Sequence, residues 1–420
     1  MKVIVLGAGV VGIASAWYLR QAGHEVTVVD RQFAPGLETS FANGGQISVS
    51  HAEPWANPHA IAQILRWLGR EDAPLLFRLR ADTAQWRWGA RFLIECLPWR
   101  TRRNIAAILR LALYSRTALK ALRGDTGIEY DHAERGILHF YTEPAQFELA
   151  QSAVRVMAEF GCQRLLKTPQ ELVAIEPALG HALSRIVGGD YAAEDESGDA
   201  CAFTQRLAAH CVEAGVAFRT NVTVNAIESA GGAVSGVQIA DAVHGSSTLT
   251  ADAYVVALGS HSPKLLRPLG LNPLIYPVKG YSLTIPVADS DAAPHVSLTD
   301  DEHKLVFSRL GQRLRVAGTA ELNGYNNSLN AARCAAILKR VEDLFPRAGD
   351  FRGATRWCGL RPATPSNLPC IGATLYRNLF LNCGHGTLGW TLACGSGRLL
   401  ADLVSGRAPD VDPAAYAFTR

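Results

Sequence analysis

The first thirty residues constrain this chain more than any other stretch. Val3-Ile4-Val5-Leu6 is a β-branched, apolar run, and Gly7-Ala8-Gly9-Val10-Val11-Gly12 follows at once. A helical pattern then covers residues 13–22, and a second apolar run, Val26-Thr27-Val28-Val29, ends on Asp30. Strand, glycine turn, helix, strand and acid together make the grammar of a dinucleotide-binding unit. Gly7 permits the tight turn, Gly9 lets a pyrophosphate approach the backbone, and Gly12 lets the helix lie close to the sheet. Free N–H groups and the dipole of the helix's first turn favour phosphate. Asp30 can accept hydrogen bonds from both ribose hydroxyls and would repel an extra 2′-phosphate, which argues against NADP. A plain βα turn needs no acid there, so a cofactor site is expected. The fingerprint alone does not separate FAD from NAD.

Bulk properties exclude several classes. The chain has 420 residues, enough for two or more domains, and is 48% hydrophobic and 19% charged. Its net charge of +3 does not suit a polyanion-seeking protein, so nucleic acid is not an expected partner. Met1-Lys2 leads straight into the first strand, so no export signal is expected. No apolar run reaches the roughly eighteen residues of a membrane span. Nine cysteines are scattered without a CxxC pair, which points to free thiols in a reducing compartment and to no metal site.

After Asp30 and Arg31, the stretch Glu38-Thr39-Ser40-Phe41-Ala42-Asn43-Gly44-Gly45-Gln46-Ile47-Ser48 is dense in small and amide side chains. It follows the cofactor unit directly and is expected to pack backbone against a planar ring. Five of the eight tryptophans, Trp55, Trp67, Trp86, Trp88 and Trp99, then fall close together. Arg66, Arg70, Arg78, Arg80, Arg87, Arg91, Arg100, Arg102 and Arg103 run through the same region. We expect an inserted cap around a pocket. Its basic surface could rest on an anionic membrane face, and a solvated helix face explains it equally well. A long helix is expected over residues 102–123, and residues 188–198 form an acidic, turn-rich segment.

Alternating α/β grammar returns with a helix over residues 203–214, strands around Val216, Val224 and Val237, and a buried strand, residues 252–258, ending on Gly259-Ser260. Residues 276–285, 304–309 and 313–318 read as antiparallel strands, the last two a hairpin around Leu310-Gly311-Gln312, with a helix over 331–345.

The C-terminal region decides the cofactor. Residues 378–382 read as a strand, Cys383-Gly384-His385-Gly386-Thr387-Leu388-Gly389-Trp390 as a glycine turn, and residues 391–403 as a helix with small residues at Ala393, Gly397 and Ala401. A second helix start of this kind supplies positive dipole where a reduced flavin carries negative charge, a need that NAD lacks. FAD is therefore the expected cofactor. The residues expected around it are Val3, Leu6, Gly7, Ala8, Gly9, Val10, Val11, Gly12, Ala14, Trp17, Val29, Asp30, Arg31, Thr39, Ser40, Asn43, Gly44, Gly45, Gln46, Ile47, Val224, Ala257, Gly259, Ser260, Gly384, His385, Gly386, Thr387, Leu388 and Gly389. Arg361, in a proline-bounded segment, is the expected anchor for a substrate carboxylate, because a guanidinium pairs with it bidentately. Tyr281 is a candidate second anchor, and Arg309 and His51 are further candidates. No general base is evident.

These motifs resemble the D-amino-acid dehydrogenases of bacteria, within the wider family of FAD-dependent amine and amino-acid oxidoreductases. The resemblance rests on the glycine unit with Ala14-Ser15-Ala16-Trp17-Tyr18-Leu19, on Glu38-Thr39-Ser40 with Gly45-Gln46-Ile47-Ser48, and on Tyr276-Pro277 with Lys279-Gly280-Tyr281-Ser282-Leu283-Thr284. It continues in Gly359-Leu360-Arg361-Pro362 and in residues 384–397. One departure is Thr364-Pro365-Ser366-Asn367, where the pattern has Thr-Pro-Asp-Gly. The resemblance implies oxidative deamination of D-amino acids to 2-oxo acids and ammonia, with hydride passing from Cα to flavin N5 and electrons going on to a quinone or other respiratory acceptor. It implies a cytoplasmic enzyme, peripheral on the inner face of the cytoplasmic membrane. Two alternatives stay open at this point. One is a related enzyme of glycine, sarcosine or a cyclic imino acid such as D-hydroxyproline, and the other is a non-catalytic dinucleotide-binding protein.

The expected fold is α/β plus α+β: a discontinuous Rossmann-like FAD domain (1–50, 186–270 and 355–420) and a substrate or cap domain (51–185 and 271–354) built on an antiparallel sheet and helices.

Overall fold

The computed structural model describes residues 1–67, 69–71, 73–242 and 245–418, the side chain of residue 65 excepted. The opening motif folds as its pattern requires. Lys2–Leu6 and Glu25–Val29 are parallel strands, joined by the helix Val10–Gln21. They lie in a six-stranded sheet ordered Cys370–Ala373, Leu379–Cys383, Ala253–Val256, Lys2–Leu6, Glu25–Val29, Ala217–Arg219. All neighbours are parallel except the first pair.

Strand alternation divides the core into two layers. Val3, Val5, Val26, Val28 and Val255 face a helical layer that includes Ile13, Leu207 and Leu399. Ile4, Leu6, Val29, Tyr254, Val256 and Leu381 face a three-stranded antiparallel meander, Val222–Ala230, Ala233–Asp241 and Gly245–Leu249. Chain segments from both ends of the sequence thus share one sheet, and its parallel strands all deliver their carboxyl ends to one edge.

A second, nine-stranded sheet runs Thr355–Ala363, Tyr276–Pro286, Arg313–Leu322, Leu305–Leu310, Ser297–Asp300, Ile137–Tyr141, Gly188–Ala192, Leu165–Lys167, with Leu75–Phe77 beside Arg313–Leu322. The hairpin expected at residues 310–312 is present. One face of this sheet, including Tyr281, Leu283, Leu298, Phe307 and Val316, packs on the helix Ala331–Leu344 through Cys334, Ile337 and Val341. The other face looks toward the cofactor edge of the first sheet.

Three parts of the expected layout differ. Residues 188–192 and 355–363, assigned by pattern to the cofactor domain, are strands of the second sheet. The long helix, Pro98–Thr126, begins earlier than its pattern suggested and packs into the helical layer of the first sheet through Ile105, Ile108 and Leu109, although it belongs to the inserted segment. The acidic, turn-rich segment 188–198 forms two strands, Gly188–Ala192 and Glu196–Ser197, on either side of a short turn. Three of its acids are buried with partners, Asp190 with Arg164, Glu196 with Arg123, and Asp195 with the backbone N–H groups of Val49 and Ser50, whereas Glu194 is exposed.

Among the described residues, no helix is long and apolar enough to cross a membrane.

Candidate functional site

Between the two sheets lies one cavity of about 1640 Å³. Two helix N-termini open onto it. Gly9 and Leu388, the N-cap residues of Val10–Gln21 and Gly389–Val404, provide no side-chain cap; Val10 N donates to Ser40 Oγ at 3.1 Å, and the other first-turn N–H groups of the two helices face the end where a ligand can lie.

The three glycines of the first turn prove to have different reasons. A methyl group on Gly12 would sit 1.9 Å from Gly7 O, and one on Gly7, which has φ +111°, would sit 2.6 Å from Ala257 O. Those two glycines serve packing. Gly9 has φ −72° and a hypothetical methyl there would meet nothing nearer than Ser40 Oγ at 3.5 Å. The protein itself therefore does not demand glycine at position 9, whereas a phosphate lying on the helix end does. Asp30, buried at the strand end, accepts from Ala8 N at 2.6 Å and Gln32 N at 2.8 Å, which leaves further lone pairs toward the cavity it lines. Burial pushes its pKa up against those hydrogen bonds.

The small-residue loop is held flat on the second sheet. A methyl on Gly44 would meet Val306 Cγ2 at 2.5 Å, Ser308 Oγ donates to Gly44 O at 2.7 Å, and Gln46 Nε2 donates to Ser297 Oγ at 3.0 Å. Ser48 N donates to Thr391 Oγ1 at 3.0 Å, tying the loop to the start of the C-terminal helix.

Of the residues expected around the cofactor, the cavity wall includes Gly7, Gly9, Val10, Val11, Val29, Asp30, Arg31, Thr39, Ser40, Asn43, Gly44, Gly45, Gln46, Val224, Ala257, Gly259, Ser260, His385, Gly386, Thr387, Leu388 and Gly389. It does not include Val3, Leu6, Ala8, Gly12, Ala14, Trp17, Ile47 or Gly384. Val3, Leu6 and Ala14 point into the core because strand and helix periodicity turn them there. Trp17 packs edge-on against His210.

The four catalytic candidates separate. Arg361 lines the cavity, and its Nη1 donates to Thr319 O at 2.7 Å. Among the described residues no carboxylate pairs with it. A methyl on Gly280, in the neighbouring strand, would lie 2.3 Å from Arg361 Cζ, so that glycine makes the room the guanidinium occupies. Burial, reinforced by the charge of Arg333, pulls the Arg361 pKa down to about 10, which leaves it cationic at neutral pH. The Leu360 carbonyl beside it accepts from both Thr39 Oγ1 at 2.9 Å and Ser260 Oγ at 2.8 Å. His51 also lines the cavity, stacked on His139 with ring centroids 6.2 Å apart and hydrogen-bonded to nothing among the described residues. Burial pushes its pKa down to about 4, so the ring is neutral at pH 7.

Tyr281 is not free to serve as a second anchor. It reaches the cavity wall, but its hydroxyl donates to buried Glu321, which also pairs with Lys279 Nζ at 3.2 Å, and its ring is part of the core under the helix Ala331–Leu344. Arg309 is not brought to the cavity: its Nε donates to Gly311 O at 2.7 Å, closing its own hairpin turn.

A polar wall that sequence reasoning missed lies beside His51. Asp301 Oδ2 accepts from His139 Nδ1 at 2.9 Å and from Tyr141 Oη at 3.0 Å, and Lys304 Nζ lies 3.5 Å from Oδ1. Burial opposes ionisation of Asp301, yet Lys304 and the His139 hydrogen bond hold its carboxyl well below the usual range. Glu53, without a partner among the described residues, faces the same space and burial pushes its pKa up. These residues come from one strand, Ile137–Tyr141, the turn at 301–304 and the loop that holds Glu53, so no spacing in the sequence joins the three segments.

A family of FAD dependent oxidoreductases matches the chain over residues 2–403. The chain belongs to that family. FAD is its cofactor, and the two uncapped helix ends and the open space at Gly9 suit that group. Curated relatives named D-amino acid dehydrogenase include one from Dechloromonas aromatica (strain RCB), 61% identical and aligned over 98% of each chain. Another, from Paramagnetospirillum magneticum, is 57% identical over 97% of this chain and 96% of its own. Among solved structures, glycine oxidase from Geobacillus kaustophilus has a TM-score of 0.77 at 22% identity, covering 100% of this chain and 99% of that one. L-proline dehydrogenase from P. horikoshii has a TM-score of 0.75 at 16% identity, covering 97% and 94%. The two structures share the fold of this flavin-dependent oxidoreductase.

Proposed function

We propose that this protein oxidises D-amino acids to 2-oxo acids and ammonia and passes the electrons to a quinone or other respiratory acceptor. The observation that carries the reading is Arg361: a cavity-wall guanidinium with no carboxylate partner among the described residues, in room that Gly280 makes for it. A lone, partly desolvated cation of this kind calls for an anion from the ligand. The names of the full-length relatives support a D-amino acid as that ligand.

Bound FAD supplies the acceptor of the hydride that leaves Cα. The imino acid that remains is hydrolysed by water to the 2-oxo acid and ammonia, and the chain's own residues bind and orient the substrate. Arg361 holds the carboxylate and so fixes which face of Cα is offered. His51, neutral and without a hydrogen-bond partner among the described residues, accepts a hydrogen bond from the substrate amine and so helps to orient it once it is in the neutral form that can release hydride. The Asp301–His139 pair stands behind it as a counter-charge.

The cap supports an apolar acceptor. Trp86 and Leu93 line the cavity yet are 56% and 52% exposed, so its mouth opens between apolar side chains, with Ile94, Leu97 and Trp99 exposed nearby. Much of the arginine run is already paired, Arg78 with Glu71, Arg91 and Arg100 with Glu95, and Arg102 with Glu159. We read apolar contact, more than charge, as what brings this rim to a membrane surface.

The test is anaerobic mixing of the FAD-loaded protein with D- and L-alanine while the flavin band is followed. D-alanine should bleach it and L-alanine should not. Arg361→Ala should slow bleaching at low substrate by about a hundredfold or more, as expected for loss of a charged anchor. Bleaching by glycine, sarcosine or cyclic imino acids alone would replace the substrate assignment. For the acceptor, Trp86→Ser with Leu93→Ser should lower reduction of vesicle-borne quinone several-fold while leaving anaerobic bleaching intact. Equal quinone reduction would remove the rim from the acceptor path.

A further inference from the structure

Thr319 carries two costs that nothing among the described residues offsets. The strand Arg313–Leu322 pairs with Tyr276–Pro286 in regular register up to Gly318 opposite Tyr281, and resumes with Glu321 opposite Lys279. Thr319 and Ala320 therefore share the place opposite Gly280, forming a bulge at the cavity wall. Thr319 has φ +52°, a left-handed conformation that is rare for a β-branched residue, and it is the only such residue with positive φ among the described residues. Across the ladder, Lys304 also has φ +52°, and its carbonyl accepts from Thr319 N at 3.2 Å. These two alone, of the five non-glycine residues with positive φ, line the cavity.

The second cost is polar. Thr319 Oγ1 is buried and has no hydrogen-bond partner among the described residues. Glycine would satisfy the backbone without strain, and an apolar residue would fill the space without an orphaned hydroxyl. The bulge does something besides: it turns Thr319 O toward Arg361, whose Nη1 donates to it at 2.7 Å. One residue thus fixes the guanidinium with its carbonyl and offers a spare hydroxyl beside it.

We propose that Thr319 is a second anchor for the substrate carboxylate, its Oγ1–H donating to the anion that Arg361 holds, with the strained bulge maintained to aim both groups. The inference rests on the reading of Arg361 as a carboxylate anchor. It adds a neutral donor to the charged one, so that the carboxylate is fixed by directional bonds from two strands rather than by charge alone.

The test uses FAD-loaded wild type, Thr319→Val, Thr319→Ser and Thr319→Gly. Propionate binding is read from the perturbed flavin spectrum, and anaerobic bleaching by D-alanine gives the substrate's dissociation constant and limiting rate. Thr319→Val should weaken propionate and D-alanine about tenfold or more, as loss of a hydrogen bond to a charged group does. Thr319→Ser should stay within about threefold of wild type, since it keeps the hydroxyl. Thr319→Gly should melt higher than wild type yet bind propionate as poorly as Thr319→Val. In an Arg361→Ala background, Thr319→Val should change propionate binding by less than about threefold. FAD affinity should be unchanged throughout. Wild-type propionate affinity in Thr319→Val or Thr319→Gly would overturn the proposal. So would failure of serine to rescue, or a matching loss of FAD affinity, which would assign the hydroxyl to the cofactor. If no D-amino acid bleaches the wild-type flavin, the substrate reading fails, and the propionate titrations still decide Thr319 on their own.

Discussion

A methyl group at Gly9 would meet no protein atom closer than 3.5 Å, and its φ of −72° suits any residue. Gly9→Ala should therefore destabilise the apoprotein by no more than about 1 kcal/mol, the usual cost of alanine at a helix N-cap where nothing clashes. FAD affinity should fall at least tenfold, because the methyl occupies the space the pyrophosphate needs. Flavin titration followed by fluorescence quenching checks it. Unchanged FAD affinity would show that the phosphates lie elsewhere. Gly12 gives the contrasting case, with backbone 1.9 Å from its would-be methyl, where a side chain would be expected to damage the fold itself.

Among the elements, the C-terminal helix Gly389–Val404 does most to join the ends of the chain. Its Gly397 crosses the first helix so closely that an added methyl would lie 2.8 Å from the Ala14 backbone, and at Gly395 one would lie 2.7 Å from the Ser115 side chain of Pro98–Thr126. Gly397→Ala should accordingly destabilise by about 1–3 kcal/mol, the usual cost of overpacking a close contact, despite alanine's better helix propensity. Thermal unfolding followed by circular dichroism measures this. A more stable variant would mean that the two helices can separate without cost. FAD binding should weaken as well, because the same crossing sets the two uncapped N-termini over one cavity.

For the whole molecule, acid lability follows from imidazoles held neutral in the interior. Burial pushes His51 down to about 4 and His385 to about 3, whereas in an unfolded chain each protonates near the ordinary value of about 6.5. The unfolded chain therefore binds more protons than the folded one between about pH 6.5 and the folded values, and stability falls as pH drops through that window. Above about 6.5 these two groups contribute no slope. Melting temperature measured from pH 7 to pH 4 should decline, and His51→Gln should flatten part of the decline. An identical slope in that variant would show that His51 does not titrate with folding.

The opening strand–turn–helix–strand–acid unit and its C-terminal counterpart were legible in the residues themselves, because hydrophobic period, glycine placement and chain-local turns report local backbone geometry. The hairpin at Leu310-Gly311-Gln312 was legible for the same reason. Arg361 could be singled out by its chemistry and its proline-bounded setting, but that it has no acid partner and lies over Gly280 depends on register between strands about eighty residues apart in sequence. Residues 188–198 read as acidic and turn-rich, and which of these acids are buried was set by partners from remote elements, Arg164 for Asp190 and Arg123 for Glu196. Asp301, His139 and His51 meet across three separate segments. Thr319 opposes its own propensity, since a β-branched residue gives no sign of a left-handed bulge. The cofactor and the sheet that binds it are thus written in local pattern, whereas the partnering of buried charge, and with it the substrate side of the cavity, was decided by long-range packing that local pattern does not encode.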